Sequence, residues 1–92
     1  MTHIERIDDF IKCAGCVTKW DDHKLRIGNF NARMSEARKE YPIKRAIAKR
    51  KTPNEDGEKP IHYVYYYDKD RVVISDNEEI IRWIDEPDEQ IS

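Results

Sequence analysis

The sequence predicts an α+β fold in which three helices are followed by a β-hairpin and a short closing helix. Three observations carry this expectation. Apolar residues recur at helical spacing over residues 4–14 and again over residues 30–37. The run Ile61-His62-Tyr63-Val64-Tyr65-Tyr66-Tyr67 is made of strong strand formers. Pro42 and the turn-rich stretch 52–59, with Pro53, Asn54, Asp56 and Gly57, punctuate the chain between them.

The first helix places Ile4, Ile7, Ile11 and Ala14 on one face with Phe10 beside them. Thr2 and Glu5 have capping-box spacing, and Gly15 suits the C-terminal position. Thr18 is the expected cap of a short second helix that holds Asp21 and Asp22 in its first turn. Trp20 is one inward anchor of this helix, and Leu25 or His23 the other. Gly28 is expected to take an awkward backbone angle in the following turn. The third helix buries Phe30, Met34 and Ala37 and turns Asn31, Arg38 and Lys39 outward. Pro42 ends it, because Tyr41 is pushed out of the helical region and Pro42 has no N–H to donate.

Residues 43–51 read as a strand with a basic polar side, which pairs with residues 61–67 around the turn-rich loop. Alternation puts Ile61, Tyr63, Tyr65 and Tyr67 on one face and Val64 and Tyr66 on the other. A short strand is expected over Arg71-Val72-Val73-Ile74. Ser75 or Asp76 then caps a last helix, with Ile80, Ile81, Trp83 and Ile84 as its apolar face. Residues 87–92 are expected to fray. Helix, short helix, turn and basic helix followed at once by a hairpin is the winged helix-turn-helix order. The expected division is a winged-helix domain over residues 1–75 and an acidic C-terminal helix and tail over 76–92.

Composition bounds the rest. Ninety-two residues, 38% hydrophobic and 39% charged, allow one domain with an economical core and a densely charged surface. The first ten residues already carry Glu5, Arg6, Asp8 and Asp9, unlike a signal peptide, and no apolar run approaches the roughly 20 residues that span a bilayer. A cytoplasmic location without membrane attachment is therefore expected, with the two cysteines as reduced thiols. The formal net charge of −2 hides a strong segregation. Residues 24–51 hold ten Lys/Arg against Glu36 and Glu40, a local +8, whereas residues 52–92 hold twelve Asp/Glu against four Lys/Arg, a local −8. A basic middle attracts phosphate even in a weakly acidic chain.

The run Phe30-Asn31-Ala32-Arg33-Met34-Ser35-Glu36-Ala37-Arg38-Lys39, followed by Tyr41-Pro42-Ile43, a Gly-containing loop and a Tyr-rich strand, resembles the small helix-turn-helix domains of phages and other mobile elements. Gly15, Val17 and Thr18 match that pattern's second-helix start, and Ala32, Arg33, Ser35, Glu36, Arg38 and Lys39 match its third helix. The resemblance covers roughly residues 4–67. It departs at Ala37, where the pattern has Leu, at Glu40-Tyr41, where it has a glycine, and in a second helix about one residue short. It implies a winged-helix fold, DNA binding and a location in the cytoplasm of a bacterial host. The acidic extension lies outside it.

A helix about 10–12 Å across fits the major groove, where Asn and Arg reach base edges while Lys and Arg neutralise phosphates. Asn29, Asn31, Ser35, Arg38 and Lys39 are the candidate DNA-facing residues of the third helix, and Lys44, Arg45, Lys49, Arg50 and Lys51 the phosphate contacts of strand and wing. Arg33 is the candidate for a structural role, pinned against an acid of the first helix. The plainer reading of all these charges is a solvated face.

Other chemistry is thinly represented. Cys13-Ala14-Gly15-Cys16 is a lone CxxC without a second pair at metal spacing, so no metal or cofactor is expected. The three histidines form no triad-like spacing, and catalysis is not expected. Tyr63, Tyr65, Tyr66 and Tyr67 could stack on unpaired bases, against the plainer reading of a wing strand packed on the helices. The acidic end reads as an inert tail, a competitor for the basic face, or a helix whose Ile80, Ile81, Trp83 and Ile84 bind a second copy or a host protein. Double-stranded DNA is thus the expected partner of a transcriptional regulator or accessory of DNA transactions, with a homodimer through the C-terminal helix. The alternative is a phage-encoded inhibitor of the anti-defence type that binds a host protein.

Overall fold

The computed structural model describes residues 2–84. Its elements follow in the order α1 (His3–Ala14), β1 (Cys16–Thr18), a 3₁₀ turn (Lys19–Asp21), α2 (Asp22–Leu25), α3 (Phe30–Glu40), β2 (Lys44–Arg50), β3 (Ile61–Tyr66), a second 3₁₀ turn (Lys69–Arg71) and β4 (Glu78–Trp83). The chain is α+β, with helices packed on a four-stranded antiparallel sheet of order β1–β3–β2–β4.

Local chemistry sets the helix ends. The Glu5 N–H donates to Thr2 Oγ1 at 3.2 Å, and the Thr2 N–H donates to Glu5 Oε1 at 2.9 Å, so two orphan donors of α1 are satisfied reciprocally. Gly15 ends α1 at φ +94°, and its N–H donates to the Ile11 carbonyl at 2.8 Å. Thr18 caps the 3₁₀ turn that leads into α2, with the Thr18 N–H donating to Asp21 Oδ2 at 3.0 Å. Arg6 on α1 reaches the carbonyls of Leu25 and Arg26 at the end of α2, each at 3.4 Å. Arg33, expected to be pinned to the first helix, pairs instead with Glu36 one turn along α3 at 3.0 Å.

The awkward angles between α2 and α3 fall on Arg26 (φ +56°) and Asn29 (φ +52°), not on Gly28. Arg26 closes the single turn of α2 in the left-handed form, its N–H donating to the Asp22 carbonyl at 3.0 Å, and Asn29 starts α3. Leu25 is the inward anchor of α2. Trp20 is 61% exposed, because it lies on the short 3₁₀ turn rather than on a helix with a buried face.

Two cores lie on opposite faces of the sheet. Ile7, Ile11, Leu25, Phe30, Met34 and Tyr65 fill the space between helices and sheet. Full burial of an aliphatic side chain of this size stabilises by about 1.5–3 kcal/mol. On the other face Ala46, Ala48, Val64 and Tyr66 are covered by Val72, Ile74, Ile80 and Trp83. The alternation along β3 follows the sequence pattern, with Tyr65 toward the helices and Val64 and Tyr66 away from them.

Two expected elements change identity. Residues 71–74, expected as a strand, belong to a crossover strap, because the chain must pass from β3 beyond β2 to the far edge of the sheet. The Cys16 thiol donates to the Val73 carbonyl at 3.2 Å, and a Cβ on Gly15 would lie 2.1 Å from the Arg71 carbonyl oxygen, so the strap runs tightly past the end of α1. In place of the expected closing helix, Ile80, Ile81 and Trp83 lie on β4, hydrogen-bonded along β2, and Ile84 follows its end. β2 offers an unpaired edge, and a run of β-branched and aromatic residues gains a full ladder there that a two-turn helix could not match. The expected homodimer helix is therefore not formed, and Ile80 and Trp83 pack in the chain's own second core. Of the expected acidic segment over 76–92, residues 85–92 lie outside the described residues, and with them the fraying expected over 87–92.

Candidate nucleic-acid interface

On α3 the buried stripe of Phe30, Met34 and Ala37 fixes where every other side chain points. Asn31, Ser35 and Arg38, at i, i+4 and i+7, form the adjoining row. This row faces β2 and β3 across an open groove of about 490 Å³. Phe30, Met34 and Tyr65 also line the groove, Ile47, Ile61 and Tyr63 border it on the sheet side, and Lys19 comes from the turn before α2.

Burial pushes the Tyr65 hydroxyl above its ordinary range, and the positive charges of Arg45 and Arg38 act in the opposite direction. The Arg45 guanidinium lies 5.4 Å from the centre of the Tyr63 ring. Asn29 lines an adjoining depression with Lys19, Trp20 and Asn31. Lys39 is exposed on the side of α3 away from its buried stripe.

The other basic candidates do not share one surface. Lys44 stands opposite Tyr66 and so belongs to the strap face, whereas Arg45 and Lys49 stand opposite Tyr65 and Ile61 on the helix face. Arg50 ends β2 on the strap side, and Lys51 begins the β2–β3 loop. That loop is organised by Asn54, whose Oδ1 accepts from the Asp56 and Glu58 N–H groups, both at 3.0 Å. Lys39, Lys44, Lys49, Arg50 and Lys51 join no ion pair among the described residues.

β4 adds what the sequence reading missed. It stands Glu79 opposite Lys49 and Glu78 opposite Arg50, so carboxylates flank the basic strand. Glu78 Oε2 is also 3.2 Å from His62 Nε2, over the small Ala48 that separates their strands. Lys19 was equally hidden, since nothing in its neighbours distinguishes it from any surface lysine. Of the dimer candidates, Ile81 is 50% exposed at an irregularity in the β2–β4 ladder, and Ile84 is half-buried beyond the strand's end. The CxxC pair divides, Cys13 exposed and Cys16 buried with its thiol pushed up by burial. Among the described residues no group of three or more His, Cys, Asp or Glu is arranged to hold a metal ion, and no helix is long and apolar enough to cross a membrane.

No protein-family model, no curated protein and no solved structure matches the chain. The groove between α3 and the sheet carries the chemistry that bears on function. Its lining offers an amide, a hydroxyl and cations for hydrogen bonds and phosphates, beside tyrosine rings that can stack.

Proposed function

We propose that the chain is a winged-helix DNA-binding protein, a transcriptional regulator or an accessory of DNA transactions, in which α3 enters the major groove and the β2–β3 hairpin is the wing. The order α1-β1-α2-α3-β2-β3, with β1 completing a β1–β3–β2 sheet, supports the fold assignment. The observation that carries the function is the Asn31-Ser35-Arg38 row facing Lys19 and Tyr63 across one groove, with the Arg45 guanidinium 5.4 Å from the centre of that Tyr63 ring. Asn and Arg are the side chains that read base edges bidentately, and the lysines beyond them meet phosphates.

Titration of labelled duplex DNA at several salt concentrations tests this reading. Affinity is expected to fall steeply with salt, and Arg38→Ala or Lys49→Ala to lower it further. Absence of binding at about 50 mM salt with high-micromolar protein overturns it. A second reading, an inhibitor that occupies a host protein, is favoured by Glu78 and Glu79 beside the basic strand. It predicts that negative result.

A further inference from the structure

The aromatic residues divide sharply by burial. Tyr65 and Tyr66 are buried and Tyr67 is tied to Asp8 through its hydroxyl, so none of these three offers an open ring face. Tyr63 is 46% exposed and lies on the groove, and Trp20 is 61% exposed on the depression beside it. The two concavities adjoin, sharing Lys19, Phe30 and Asn31. Each exposed ring carries a cation, Lys19 Nζ at 4.7 Å from the centre of Trp20 and the Arg45 guanidinium at 5.4 Å from that of Tyr63. Ile61, 58% exposed, extends the apolar rim next to Tyr63.

The edges of duplex base pairs can meet the Asn31-Ser35-Arg38 row, but their faces are stacked on one another and leave the exposed rings of Tyr63 and Trp20 and the Ile61 side chain unmatched. An unpaired strand presents base faces and phosphates alternately, and a positively charged groove with aromatic platforms is what binds it. We propose that the groove between α3 and the wing seats a single-stranded segment of DNA, with bases stacked on Tyr63 and Trp20 and phosphates on Lys19 and Arg38. This deepens the DNA-binding reading and rests on it for the duplex contact by α3. It favours a role at melted or forked DNA over plain operator binding.

The test compares a blunt duplex, the same duplex with a thymidine overhang, and the overhang strand alone, using anisotropy titrations of the full chain. The wild type is expected to prefer the overhang substrate about tenfold, one stacked base being worth that much. Tyr63→Leu should erase most of that preference by weakening overhang binding more than blunt-duplex binding, whereas Tyr63→Phe keeps it. Trp20→Leu, at the more exposed ring, is the second variant and should reduce it in the same direction. Equal affinity for blunt and overhang substrates overturns this inference and leaves the duplex reading standing. Tight binding of the single strand without any duplex binding does the reverse. Failure to bind any of the three overturns both.

Discussion

The Tyr67 hydroxyl donates to the Asp8 carboxylate, tying the end of β3 to α1 across 59 residues of sequence. Lys12 holds the same carboxylate from one turn further along α1, at 3.0 Å. Burial alone would raise the Asp8 carboxyl, but the Tyr67 hydroxyl and Lys12 ammonium together outweigh it, and the net shift is downward. Tyr67 moves upward, chiefly through burial and then through Asp8.

Tyr67→Phe is therefore expected to cost about 1.5–3 kcal/mol in urea denaturation, the range for a hydrogen bond to a charged group. The pH dependence has two arms. Because Asp8 is depressed when folded, its contribution is present above the unfolded value of 3.8 and disappears as pH falls through the lower folded value. Because Tyr67 is raised, its contribution is present below 10.0 and declines as pH rises beyond it. The variant should lose the alkaline arm; a slope above pH 10.0 identical to that of the wild type would assign it to another group.

The close pass of the strap makes Gly15 the least replaceable glycine. Gly15→Ala requires a left-handed alanine, worth about 1–3 kcal/mol, and drives a methyl into the Arg71 carbonyl. Gly28→Ala is the control, since no atom lies within 4 Å of the added carbon and φ is not positive. It is expected to be neutral or to stabilise by up to about 1 kcal/mol. Thermal melts of the two variants that moved together would contradict the assignment of the strap to this position.

Trp83 meets Tyr66 edge-on at 5.1 Å over the small Ala46 and covers the second core. Trp83→Ala should cost toward the lower end of the roughly 3–5 kcal/mol seen for buried aromatics, since Trp83 is only half-buried. Amide hydrogen exchange should then rise along β2, its ladder partner, before it rises in α1. A loss of protection confined to residues 78–84 would mean that β4 is an appendage rather than part of the sheet.

Much of the helical half was legible because its determinants are local. Thr2 and Glu5, the Phe30-Met34-Ala37 stripe and the Tyr41-Pro42 stop act within a few residues of one another. The alternation of Val64, Tyr65 and Tyr66 was legible for the same reason. β4 was not, because Ile80, Ile81, Trp83 and Ile84 fit both a short helical face and a strand, and the decision rests with the open edge of β2, some 30 residues earlier in the chain. The candidate site was half legible. Asn31, Ser35 and Arg38 follow from helical period, while Lys19 and the neutralising Glu78 and Glu79 arrive through tertiary pairing alone.

That pairing yields the sharpest prediction for the β2–β3 hairpin. Residues directly opposite in an antiparallel ladder have Cβ atoms about 4.5–5.5 Å apart, so the Glu79 carboxylate travels with Lys49 to any phosphate that Lys49 meets. A like charge about 8 Å from a phosphate in water costs about 0.5 kcal/mol. Glu79→Gln should therefore raise duplex affinity about twofold to threefold at low salt, and the gain should vanish as the Debye length shrinks toward about 3 Å near 1 M salt. Glu55→Gln, at the tip of the wing loop and paired to no strand, should give a smaller gain under the same conditions. If both variants strengthen binding equally, only net charge matters, and the wing strand does not lie against the phosphates. If Glu79→Gln weakens binding to DNA, the carboxylate holds Lys49 in place, and β4 is a positioning element of the interface instead of a brake on it.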